Sequence, residues 1–212
     1  MPERNLILYG CGSDVIVDFV EVCEKNGVGI KSIIRNVEGG APRGLLVVPS
    51  SGYDFANERT PFLVPLFTPR NRYRASREAL GHGLAPFDLL SDRNTDLPAR
   101  FVHGRGCFIN KGAVVGSHTS LGDYVFVNRG ACLGHHVSLE DFVSIGPGVV
   151  TGGGVTVRRG ALLGTGAVIL PGVRVGEHAV VGGGAVVTRD VDAGSVVVGN
   201  PARHVKDNES AF

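Results

Sequence analysis

Seven histidines are the residues of this 212-residue chain with chemistry suited to neutral pH. His135 and His136 are adjacent, and His118 precedes His136 by eighteen residues. An outward imidazole with a free ring nitrogen can take a proton from an attacking amine or hydroxyl. Histidines stacked along a repeat could instead hold zinc, but no metal site is expected. His82, His103, His178 and His204 read as polar surface residues. Cys11, Cys23, Cys107 and Cys132 are scattered without a C-x-x-C pair, which suggests neither structural zinc nor a disulfide framework. They read as buried reduced thiols, with Cys132, three residues before His135, as a packing residue rather than a nucleophile.

The other segment with chemical potential is the turn Gly10-Cys11-Gly12. The preceding NLILY at residues 5–9 reads as a buried strand, and the apolar-periodic run Val15 to Cys23 as a helix with Asp14 as its N-cap. Strand, glycine turn and helix begin a βαβ unit, where backbone N–H groups can meet a phosphate. Val15 breaks the G-x-G-x-x-G pattern, so both a tight structural turn and a nucleotide cradle stay open. Ile30 to Ile34 and Phe62 to Phe67 look like further strands of a small Rossmann-like α/β domain. The stretch Leu90 to Arg100, rich in Asp, Asn and Pro, reads as a linker, dividing the chain into residues 1–95 and 96–212.

The elements that must position the histidines follow from a different periodicity. From Ile109, every sixth residue is aliphatic through Val115, Leu121 and Val127 to Val187, with Thr151 the single break. The residue four places later is small or β-branched, as at Ala113, Thr119 and Val125. Neither a helix nor a single strand explains a period of six. Short strands joined by corners do: three hexads close one triangular coil, and stacked coils pair as parallel strands about 4.8 Å apart. On this register His135 falls at a corner facing outward, and His118 and His136 stack on successive coils.

Twenty-one Lys and Arg against 20 Asp and Glu leave a net charge of +1, with no basic stripe for nucleic acid and no polybasic segment for a membrane. The N-terminal apolar run is too short for a signal segment or a membrane span, so a cytoplasmic protein with a small-molecule partner is expected.

The hexads, the terminal G-N-P-A-R at Gly199 to Arg203 and the opening Y-G-C-G-S resemble the bacterial hexapeptide acetyltransferases that modify sialic acid and nucleotide-linked amino sugars. The resemblance implies a left-handed parallel β-helix, a homotrimer, and acetyl-CoA lying in a groove between neighbouring β-helices. It further implies direct acetyl transfer to an amino group, less often a hydroxyl, of a nucleotide sugar. The segment Asn128 to Leu139 is similar to the one that holds the family's general base, and the match falls on His135. By the same resemblance Gly153 supplies an oxyanion-binding N–H, and Ser144, Thr165 and Gly183 contact acetyl-CoA. Gly12, Ser13 and Asp14 then contact the nucleotide sugar. This chain departs from the family at His136, where an acidic residue is usual, at Ser144, where histidine is usual, and at Arg35, Asn36 and Phe67 in the N-terminal domain. Those departures motivate one alternative, a binding or scaffold protein that has lost turnover, and the stacking of His118 and His136 motivates another, a zinc-dependent β-helix protein like the carbonic anhydrases.

Overall fold

The computed structural model describes residues 4–12, 14–37, 45–90, 97–99, 101–209 and 212. Ser13 and most of the expected linker lie outside the described residues.

The N-terminal domain is a four-stranded parallel sheet in the order β3-β2-β1-β4. Its strands are β1 (Arg4–Tyr9), β2 (Val28–Arg35), β3 (Val47–Pro49) and β4 (Phe62–Leu63). Helix α1 (Ile16–Lys25) connects β1 to β2, and α2 (Pro69–Gly81) follows β4. Alternation along β1 sends Leu6 and Leu8 into a core with Phe19, Val22 and Cys23 of α1, and Ile7 and Tyr9 into a second core with Ala75 and Ala79 of α2. Asp14 does not cap α1: Val15 flanks the helix and no side chain bonds its end. The strand expected over Phe62 to Phe67 ends at Leu63.

The remainder is a parallel β-helix of triangular section. Its first face stacks two-residue strands from Leu89–Leu90 and Phe108–Ile109 to Val180–Val181, and is closed by Ser195–Val198 and the antiparallel Arg203–Asp207. The second runs from Val114–Val115 to Val186–Val187, and the third from Val102–His103 to Arg174–Val175. From Val102 to Val187, partners across coils are 18 residues apart, as in Phe126 with Ser144, which is the spacing the hexads require. The inward aliphatics from Ile109 to Val187 form one continuous core. The break at Thr151 points inward too: it is buried, and its hydroxyl accepts the Gly134 N–H at 3.1 Å. Leu89–Leu90 already pairs with the prism, so the first strand of the β-helix precedes the expected linker.

Each face of the prism meets different surroundings. The first is covered by the N-terminal domain, where Phe19 stacks on Phe108 at 3.8 Å and Lys111 bonds Glu21 at 2.8 Å. Arg72 of α2, 2% exposed, binds the two parts together: Nε donates to Tyr124 O, Nη1 to Leu66 O and Phe67 O, and Nη2 to Phe142 O, Val143 O and Ser144 Oγ. Burial pulls its pKa down to about 9. The outward residues of the third face are mostly polar, with Ser120, Ser138, Thr156 and Arg174. Those of the second include Val114, Cys132 and Val150, all exposed. Cys132 therefore differs from the other three cysteines, which are buried as expected, because it points outward from a face that the described chain leaves uncovered. No helix among the described residues is long and apolar enough to cross a membrane.

Candidate active site

At the corner between the second and third faces, the second residue of each turn has a left-handed backbone: φ is 62° at His118, 56° at His136, 69° at Gly154 and 74° at Gly172. Such a conformation disfavours most side chains, yet two of the four positions carry imidazoles. Their rings stack in parallel, with centroids 4.8 Å apart and planes 4° apart.

His135 occupies the first position of the same turn and is exposed. Its ring lies over Gly153, one coil further on. A side-chain carbon at Gly153 would stand 2.4 Å from His135 Cε1 and 2.6 Å from Nε2, so any other residue there would move the imidazole from this position. The Gly153 N–H makes no hydrogen bond within the described chain. One coil corner thus presents a ring nitrogen and an unengaged backbone donor side by side, the two parts that acyl transfer requires of a base and an oxyanion site.

Two buried threonines hold this turn. Thr119 Oγ1 donates to Gly134 O at 2.9 Å, and Thr151 Oγ1 accepts from Gly134 N. Both peptide groups of the residue before His135 are pinned from the interior. The break in the aliphatic ladder at Thr151 was the only sequence signal for this, and it does not identify its partner.

The rings of His135 and His136 are 87° apart in plane. They nevertheless meet, with Nδ1 to Nδ1 at 2.9 Å. Among the described residues no group of three or more His, Cys, Asp or Glu is placed to hold a metal ion.

The other expected site residues lie elsewhere. Thr165 and Gly183 sit one coil apart on the corner between the first and second faces, exposed, with N–H groups that make no hydrogen bond within the described chain. Ser144 is on the first face, fully buried: its Oγ donates to Phe67 O at 2.5 Å and accepts from Arg72. Two departures from the family pattern, Ser144 and Phe67, are therefore bonded to each other between the domains. This hydroxyl is not on the corners that carry His135 and Thr165. Gly12 and Asp14 are exposed in the turn after β1. His178, expected at the surface, is half-buried, its ring against Phe212.

A protein-family model described as bacterial transferase hexapeptide (six repeats) matches residues 154–189. The chain's likeness to solved structures extends beyond the repeat. The acetyltransferase domain of PglB from Neisseria gonorrhoeae, in complex with acetyl coenzyme A, is 26% identical, with 96% of this chain and 100% of that one covered at a TM-score of 0.84. A His-to-Asn variant of perosamine N-acetyltransferase from Caulobacter crescentus, in complex with CoA and GDP-perosamine, is 24% identical, with 98% and 99% covered and a TM-score of 0.83. WeeI from Acinetobacter baumannii is 22% identical, with 94% and 99% covered and a TM-score of 0.75. No curated protein matches the chain in sequence. The hexapeptide chain thus shares with these proteins both the β-helix and the small α/β domain that precedes it.

Proposed function

We propose that this protein transfers the acetyl group of acetyl-CoA to the amino group of a nucleotide-linked amino sugar. The observation that carries the reading is the pairing of the exposed His135 ring with the unengaged N–H of Gly153 at one corner. His135 Nε2 takes the proton of the acceptor amine as its nitrogen attacks the thioester carbon. The Gly153 N–H donates to the carbonyl oxygen as it becomes negative. The C–S bond then breaks, and the CoA thiolate leaves with the proton that His135 holds. No covalent enzyme intermediate is involved.

The free N–H groups of Thr165 and Gly183 would receive the polar atoms of acetyl-CoA along the second face. Ser144 is left out of that groove because its hydroxyl is engaged between the domains. The apolar second face, with Val114 at 46% and Val150 at 43% exposed, supports a homotrimer in which a neighbouring copy walls the groove. Gly12, Ser13 and Asp14 would hold the nucleotide sugar, whose GDP-linked counterpart is bound by the Caulobacter crescentus enzyme. This reading puts the protein in the cytoplasm.

Replacing His135 by Ala should lower kcat by about 100-fold or more with little change in the KM for acetyl-CoA. Thiol release in the presence of a panel of nucleotide amino sugars, with melting curves for both proteins, measures this. A His135→Ala protein that keeps near-full kcat with any active acceptor would rule out the assigned base.

A further inference from the structure

His136 stands beside the proposed base without being able to supply a carboxylate, and its geometry shows what it supplies instead. Its Nδ1 is 2.9 Å from His135 Nδ1, so the contact is a hydrogen bond only when one of the two nitrogens carries a proton and the other lacks one. The nitrogen of His135 beside Gly153 is Nε2, and the nitrogen facing His136 is Nδ1. The proton between the rings therefore decides whether Nε2 can accept. When His135 Nδ1 carries it and His136 Nδ1 accepts, His135 Nε2 has a lone pair. In the reverse arrangement Nε2 carries a hydrogen and cannot take another from an amine. An acceptor amine is itself a donor toward Nε2, so substrate selects the first arrangement.

His136 is held in place for this contact. Its left-handed backbone sets the ring outward, and the parallel stack on His118 fixes the ring plane from the preceding coil. The same construction appears at another corner, where Tyr124 (φ 55°) and Phe142 (φ 60°) stack at 5.0 Å and 9°. A ring on a ring, 18 residues apart at left-handed positions, is thus a repeated packing unit of this prism.

We infer that His136 is a positioning residue that accepts the His135 Nδ1 hydrogen and so keeps Nε2 free to act as the base. His118 acts one step further back, by holding the plane of His136. The inference rests on the reading of His135 as the general base. It replaces the charged orienting partner of a Ser-His-Asp arrangement with a neutral ring that still selects one tautomer.

Two variants separate this role from a purely structural one. His136→Gly removes the ring at a position where Gly154 and Gly172 occupy the next two coils, so the corner keeps its backbone. His136→Asn restores an acceptor oxygen near the lost Nδ1, on a residue that tolerates a left-handed backbone. In 15N-labelled protein near pH 8, the Nδ1-protonated fraction of His135 should fall in His136→Gly and recover in His136→Asn. In parallel, kcat should fall about tenfold in the glycine variant and recover to within about threefold in the asparagine variant, the KM for acetyl-CoA changing less than about twofold in either. An unchanged His135 tautomer in His136→Gly, or a kcat equally low in both variants, would overturn the inference. The two readings fail separately: the tautomer of His135 is read without turnover, whereas the base assignment falls only if His135→Ala stays active.

Discussion

Tyr124 and Phe142 at one corner of the prism, and His118 and His136 at another, repeat the same backbone and the same stack of rings. Their surroundings are opposite. Tyr124 and Phe142 are 5% and 7% exposed, beneath α2 and the terminal Phe212, with their carbonyls bonded by Arg72. His118 and His136 face outward with nothing described above them. Both corners also use a glycine to make room for an imidazole: a side-chain carbon at Gly153 would strike His135, and one at Gly160 would stand 2.4 Å from His178 Nδ1. The repeat therefore builds equivalent niches, and cover by the N-terminal domain makes one of them core while leaving the other exposed.

Truncating the ring at each corner should expose this division most strongly. Phe142→Ala should lower unfolding stability by about 3 kcal/mol, whereas His136→Ala should cost under about 1 kcal/mol. Both place alanine at a left-handed position, so the backbone strain is common to the pair and the difference reports burial alone. Equal losses in denaturant titrations would mean that the two corners are not divided by burial.

A smaller effect is expected where the exposed corner is altered without deleting a ring. Gly153→Ala should displace the His135 imidazole and lower kcat about tenfold, with stability changed by under about 1 kcal/mol. Full activity in this variant would show that the position of the ring over Gly153 is not the reactive one.

The smallest effect belongs to the titratable ring of the buried corner. Burial lowers the His178 pKa, and nearby Arg159 lowers it further, while Glu177 and the Phe212 backbone raise it. The unfolded chain then takes up its proton first as pH falls below about 6.5, so stability should decline with acidification in that range. Melting temperatures between pH 7.5 and 5.5 should fall less in His178→Asn than in the native protein. A parallel decline in both would remove His178 as the cause.

The prism was legible because its signal is local and repeated: six-residue spacing alone locates the inward aliphatics, the corners, the outward His135 and the His118–His136 stack. Helix α2 left no comparable signal. The buried residues Arg72, Ala75, Ser76 and Ala79 follow helical spacing, but they are a charged, a hydroxyl and two small side chains rather than an apolar stripe. Pro69 at the helix start was the one local cue.

What the sequence determined by itself was therefore the β-helix, its register and which residues occupy its corners, since each hexad carries its own instruction and neighbouring coils repeat it. Tertiary structure alone decided which face is covered, and with it the fate of individual side chains. Ser144 became an interdomain hydrogen-bond partner because Arg72, 72 residues earlier in the chain, reaches it. Cys132 stayed exposed because nothing described covers the second face, and His178 was half-buried because Phe212 packs against it. The contact of His135 with His136 likewise depends on ring rotations that a sequence period does not encode. Periodicity fixes where a side chain leaves the backbone, whereas contacts between distant segments fix what it meets.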